Sequence, residues 1–370
     1  MSMFKKMALF VFLFGVPALV FSQNNEGSSA KMDFEAYDPP SDLVTPSTEY
    51  TKAKFPFIDI HSHHWQMANQ DLDKLLSEMN AMNMQVVNNL SGRGGAALKS
   101  MMDNVKKYGY EKRVTIFTNI ELRSIDDPEW AANTVKQIEF DHANGACGLK
   151  IYKSQGMDNK DAAGNRIKIT DPRIKPIWDK CAELNMPILI HSADPKQFWE
   201  PFDSLNERWL ELKTHPNRKR DPGPFTWEQI ISEQHDLFRQ NPKTKFIAAH
   251  MAWFPNDLAK LGKLLDEMPN VYVEIGAVIS ELGRQPRMAN KFFEKYQDRV
   301  LFGKDSYQPD EYPTYFRVLE SDDEYFPYYK RYHAFWKMYG LALPDHILKK
   351  VYYKNALSLL PNIDASQFPK

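Results

Sequence analysis

The sequence predicts a (β/α)8 (TIM) barrel, and three observations predict it. Eight short apolar or β-branched runs recur along the chain; longer stretches between them carry apolar residues three and four apart; and histidines and an aspartate stand at the C-terminal ends of the runs. Eight strand-then-helix units over about 250 residues is the length and order of such a barrel. A doubly wound open sheet uses the same alternation and is the second choice, because alternation alone does not close a sheet.

The elements follow in order. Residues 1–22 open with Lys5 and Lys6, continue through a 15-residue apolar stretch broken by Gly15 and Pro17, and end in a Val20-x-Ser22 pattern. This is the form of a secretory signal peptide, and the stretch falls short of the ~20 residues that span a bilayer. The expected address is therefore periplasmic or secreted, with no membrane contact after cleavage. Residues 23–54, with "NNEGSS" and "DPPSD", are polar and aperiodic and read as a tether or a surface wrap.

The barrel is expected over residues 55–325. Its strand candidates are 55–61 ("FPFIDIH"), 85–91, 113–122, 147–152 ("CGLKIY"), 186–191 ("MPILIH"), 245–250 ("KFIAAH"), 270–276 ("NVYVEIG") and 299–305 ("RVLFGKD"). Helix candidates between them include 71–83, 172–185, 256–268 and 287–297, with Asp171-Pro172 and Asn256 as N-terminal signals. Residues 326–370 are aromatic with helical spacing and are read as extra C-terminal helices packed on the outside of the same domain.

Composition limits the function. With 43% hydrophobic residues the chain can build a large core, and with only Cys147 and Cys181 it has no disulfide framework. Removing Lys5 and Lys6 from 47 basic residues leaves 45 against 48 acidic ones, a net charge of −3. That excludes a field for attracting nucleic acid or anionic lipid, so a small-molecule substrate is the expected partner. The sequence leaves a homo-oligomer open.

At the strand ends, His61 and His63 close the first run, Lys150 lies in the fourth, His191 ends the fifth, His250 the sixth and Asp305 the eighth. This is the face on which the βα loops of a barrel converge. His61 and His63, at i and i+2, point the same way and can bind one ion; imidazole and carboxylate suit Zn²⁺ and other divalent first-row metals. A single histidine after an apolar run is ordinarily a core or rim residue, but that account must hold at four strand ends at once. His61, His63, His191 and Asp305 are the expected ligands. Asp59 shares their parity and is a candidate for supporting them. His64, His142, His215, His235, His333 and His346 are read as structural or solvated.

The set "DIHSH", "PILIHSADP", "KFIAAHM" and "RVLFGKDS", over residues 55–360, resembles the amidohydrolase superfamily, specifically its amidohydrolase-related branch. The resemblance implies a metal-dependent hydrolase, with decarboxylases, hydratases and sugar lactonases among branch members. It implies a metal shell of His61, His63, His191 and Asp305, with His250 either a ligand of a second ion or an acid/base. "GLKIYKS" is similar to the strand-four segment of dihydroorotase-like members, where the lysine is carboxylated and bridges two metals; Lys150 holds that position. Lys304 departs from the branch, which has a small or hydroxyl residue before the aspartate.

These implications give an exported hydrolase with one or two divalent ions, Zn²⁺ foremost, in which Asp305 and His250 handle protons and an amide, ester or lactone is cleaved. A mononuclear decarboxylase or hydratase is the alternative, and a non-catalytic metal-containing binding protein the third reading. Two long loops, 153–172 and 192–224, carry Phe198, Trp199, Arg208, Trp209 and Arg220, and Arg284 and Arg287 follow strand seven. Aromatics with arginines suit a carboxylated or sugar-derived substrate.

Overall fold

The computed structural model describes residues 33–220, 225–360 and 363–369. The expected leader, residues 1–22, lies outside the described residues, as do residues 23–32 and residues 221–224 of the loop after strand five. The chain divides into two units, residues 1–44 and 45–370. In the first, the regular structure among the described residues is one turn of 3-10 helix, Phe34–Ala36.

The second unit contains eight parallel strands in sequence order: β1 (Phe57–Ser62), β2 (Met84–Asn89), β3 (Val114–Asn119), β4 (Ala146–Ile151), β5 (Ile188–Ile190), β6 (Phe246–Ala248), β7 (Val271–Glu274) and β8 (Val300–Leu301). Their residues are almost all buried, as expected for parallel strands covered on both faces, which is why they read as apolar runs. The ring closes between β8 and β1. Ile60 donates to the Phe302 carbonyl (3.1 Å) and Asp305 donates to the His61 carbonyl (2.6 Å). Asp59, fully buried at this seam, accepts the backbone N–H groups of His61 (3.0 Å) and Lys304 (3.2 Å) and the Tyr312 hydroxyl (2.6 Å).

Helices cover the sheet between strands. Leu72–Ala81 is capped by Asp71, and Trp227–Gln240 starts with a full capping box, Thr226 with Gln229. The expected helix at 172–185 begins with a 3-10 turn, Pro172–Ile174, capped by Asp171, and continues as Lys175–Glu183. The cap of Leu258–Glu267 is Asp257 rather than Asn256, its carboxylate accepting the Lys260 N–H. Helix Pro286–Lys295 follows β7 and helix Tyr312–Glu320 follows β8. Among the described residues no helix is long and apolar enough to cross a membrane.

Residues 45–54 behave as a surface wrap: Thr48 donates its N–H (2.8 Å) and hydroxyl (2.9 Å) to Asp323, and Lys54 pairs with Asp345. The C-terminal region departs in part from expectation. Residues 326–338 form an antiparallel ribbon, Phe326–Pro327 with Lys337–Met338, because Pro327 lacks the N–H a helix needs; helix resumes only from Asp345. That last helical stretch packs beneath the seam, where Tyr352, Phe57, Phe302 and Phe316 form an aromatic cluster and the Val351 carbonyl accepts the Phe302 N–H.

Candidate metal centre

His61 lies in β1 and His63 just beyond it, Lys150 is the fifth residue of β4, and His191, His250 and Asp305 follow the ends of β5, β6 and β8. The backbone there is unusual. His250, Met251, Ala252 and Trp253 form a left-handed turn with φ of 57°, 56°, 54° and 61°, and Asp305 has φ of 85°. Left-handed backbone costs non-glycine residues about 1–2 kcal/mol each, and such conformations concentrate at functional sites.

Three side chains meet closely. His61 Nε2 lies 3.3 Å and His63 Nε2 3.6 Å from one oxygen of Asp305. The far ring nitrogens are fixed from behind: His61 Nδ1 contacts Glu274 at 3.0 Å and His63 Nδ1 contacts the Ser91 hydroxyl at 2.6 Å. His250 Nδ1 donates to the Gly276 carbonyl (2.8 Å), leaving Nε2 as an acceptor 3.3 Å from His191 Nδ1. Lys150 makes no direct contact with the others: its fully buried ammonium has no hydrogen-bond partner among the described residues and lies 5.6 Å from the Tyr152 ring centre.

The electrostatics suit cation ligands at His63, His191 and Asp305. Burial holds His63 down at about 3 and drives His191 well below the usual imidazole range, so both present lone pairs at neutral pH. Burial opposes the charge on Asp305, but the close approach of His61 at 3.3 Å outweighs it and holds the carboxyl well below the carboxylate range. Burial and Lys150 push His61 down; Glu274 and Asp305 outweigh them and raise it. Burial lowers the Lys150 amine to about 8 against the pull of Asp305 and Glu274.

The residues fit a divalent metal. Ligand atoms on one tetrahedral ion at ~2.0–2.1 Å stand about 3.3–3.4 Å apart, close to the 3.3 and 3.6 Å that separate His61 Nε2 and His63 Nε2 from one Asp305 oxygen. Three buried nitrogens, His61 Nε2, His191 Nε2 and Lys150 Nζ, have no hydrogen-bond partner among the described residues, a costly arrangement that a cation would relieve for the imidazoles.

Glu274, at the end of β7, is the site residue that sequence reasoning missed. It accepts His61 Nδ1–H, the His250 N–H (2.6 Å) and the Gly276 N–H (2.5 Å). Burial would raise its carboxyl, but His61, His250 and these donors hold it at about 2. The one available signal was an acid in the otherwise apolar run "VYVEIG". Ser91 left no such trace.

Other expected features resolve differently. Asp59 supports the backbone at the seam rather than an imidazole ring. Lys304 is turned away from the centre, bonded to Glu311 and the Ser306 carbonyl. Arg284 is occupied by Glu207 and Glu281 (each 2.6 Å), Arg220 by Asp194, and Arg208, nearly buried, by Glu211 and Glu281. Arg287 is exposed on helix Pro286–Lys295. His64 is structural, held between Ser62 and Gln70.

Beside His63 a cavity of about 580 Å³ opens between the loops after β2, β3 and β4, lined by Trp65, Arg93, Asn119, Arg123 and Tyr152 among others. His63, Trp65 and Tyr152 stack, with His63 and Trp65 rings within 8° of parallel. Arg93 is exposed, with φ of 57°, and its backbone is held by Asn119 on both sides.

A family model described as Amidohydrolase matches residues 125–361, leaving His61 and His63 to its N-terminal side. No protein of curated function matches the chain. Among solved structures, 2,6-dihydroxybenzoate decarboxylase is similar at 13% identity, covering 83% of this chain and 99% of that one with a TM-score of 0.51. A Staphylococcus aureus protein provisionally assigned as an amidohydrolase is similar at 16% identity, with 83% and 99% covered and a TM-score of 0.50. The 4-oxalomesaconate hydratase of Rhodopseudomonas palustris reaches 15% identity, 84% and 97% coverage and a TM-score of 0.49. At these identities the likeness concerns the fold.

Proposed function

The chain belongs to the amidohydrolase family, and from that premise we propose that it is a metal-dependent hydrolase cleaving an amide, ester or lactone bond in a small polar substrate. The observation that carries the reading is the convergence of His61, His63 and one Asp305 oxygen within 3.6 Å, with Asp305 still 38% exposed at the mouth. His61, His63, His191 and Asp305 would hold a divalent cation, Zn²⁺ foremost, which would supply Lewis-acid polarisation of a carbonyl and a lowered pKa for water.

The side chains do the rest. Asp305, anionic beside the imidazoles, takes a proton from the attacking water and returns it to the leaving group. His250 Nε2, an acceptor because Nδ1–H is committed to Gly276, carries a second proton or ligates a second ion. The lowered Lys150 amine supports the two-metal form: near pH 8 a substantial fraction is neutral and can take up CO₂ as a carbamate, an anionic ligand. The cavity beside His63 takes the rest of the substrate, with Trp65 as a flat wall and Arg93 and Arg123 for a carboxylate or polar oxygens. Residues 1–22, read as a leader, put this activity outside the cytoplasm.

A second reading, decarboxylation or hydration at one ion, is favoured by the lone pair of His250 Nε2, which faces His191 Nδ1 and can move a proton without binding metal. The deciding experiment counts metals per chain by elemental mass spectrometry in wild type and Lys150→Ala, alongside turnover of lactone, ester and carboxylated substrate panels. Two ions falling to one or none, with lactone or ester cleavage, supports hydrolysis. One ion unchanged by the substitution, with loss of CO₂ or addition of water, replaces it with the lyase reading. No bound metal in the wild type defeats both.

A further inference from the structure

Glu274 does more than fill the end of a strand. Its carboxylate receives three N–H donors from three separate places: His61 Nδ1 on β1, the His250 backbone at the start of the left-handed turn, and the Gly276 backbone two residues on. The side chain is fully buried. The chain also keeps space for it: a Cβ on Gly276 would stand 2.6 Å from Glu274 Oε2, and one on Gly303 closer still, while also meeting His61 Cβ at 2.8 Å.

We propose that Glu274 is a positioning residue for the metal centre, a fixed acceptor that sets the tautomer of His61 and pins the turn that presents His250. This rests on the metal-dependent reading above. A neutral imidazole carries one N–H and one lone pair. With Nδ1–H given to Glu274, His61 must present the lone pair of Nε2, the atom beside Asp305. The same carboxylate bonds the first left-handed residue of residues 250–253, while the Gly276 carbonyl takes His250 Nδ1–H. Two candidate ligands on different strands thus take their orientation from the end of β7. A carboxylate is needed because an amide cannot do this: with its oxygen toward His61 and His250, its NH₂ would face the Gly276 N–H, donor against donor. Outer partners of this kind tune metal affinity by about 10- to 100-fold.

The test is Zn²⁺ affinity of the purified full-length protein, by competition with a chromophoric chelator, in wild type, Glu274→Gln and Glu274→Asp. Folding is checked by circular dichroism and melting of the metal-free forms, and Co²⁺ replaces Zn²⁺ to report ligand geometry in the visible spectrum. We expect Glu274→Gln to bind Zn²⁺ about 10- to 100-fold more weakly while folded, with altered Co²⁺ bands. If it does not fold, Glu274→Asp carries the test, since it keeps the carboxylate but draws it back by one carbon from its three donors, and the same loss is expected. Wild-type affinity and an unchanged Co²⁺ spectrum in the folded variant would overturn the proposal while leaving the metal centre intact. A wild type that binds no Zn²⁺ overturns the proposal together with the reading beneath it.

Discussion

Replacing Lys150 with methionine should make the metal-free protein more stable. The side chain is fully buried, its ammonium has no hydrogen-bond partner among the described residues, and burial lowers its pKa from 10.5 to about 8. That difference corresponds to about 3 kcal/mol. The sign follows from proton counts. Between pH 8 and 10.5 the unfolded chain holds this proton and the native state does not, so native stability rises with pH through that window and the penalty is complete below pH 8. Methionine matches the length of the chain without the charge. In chelated, CO₂-free buffer, urea unfolding at pH 7 should show Lys150→Met about 3 kcal/mol more stable than wild type, with the gap closing toward pH 10.5. Groups remote from Lys150 titrate equally in both proteins, so the difference between them reports Lys150 together with the site groups that feel its charge. A variant less stable at pH 7, or a gap independent of pH, would refute the account of an unpaired buried amine.

Other perturbations test the frame around the site. His235, lowered by burial from 6.5 to about 4, should lose stability to the fold as pH falls through that range, by about 2 kcal/mol after allowing for partial exposure; acid unfolding of His235→Gln should lack this step. Arg208→Ala leaves Glu211 and Glu281 buried with reduced compensation and should cost about 3 kcal/mol in urea unfolding, whereas a change under about 1 kcal/mol would mean that Arg218 and Arg284 suffice. Tyr312→Phe removes the hydroxyl that Asp59 accepts at 2.6 Å and should cost about 1–3 kcal/mol, read by the same assay.

The strands were legible because parallel strands covered on both faces must be apolar, so "FIDIH", "ILIH" and "FIAAH" declare themselves and the chemistry-bearing residue at the end of each stands out. Bonding behind the rings left less trace. A lone glutamate closing "VYVEIG" looks like any rim acid, and its three donors come from residues 61, 250 and 276, a grouping only the closed ring creates. The left-handed turn at 250–253 contains no glycine to announce it. Arginines on the mouth loops looked available for substrate because each has a carboxylate partner distant in sequence: Glu281 for Arg208, Asp194 for Arg220 and Glu207 for Arg284. Aromatic spacing in 325–339 imitated a helix, and Pro327 was the signal that outranked it.

The seam between β8 and β1 gives the centre a mechanical meaning. β8 is two residues long, and the ring is fastened there by isolated backbone bonds and the Asp59 carboxylate instead of a continuous ladder. His61 and His63 stand on one side of that join and Asp305 on the other. An ion gripping all three would act as the clasp of a belt, tying the first strand to the last, so that unbuckling the barrel at its thinnest point would mean surrendering the ion first.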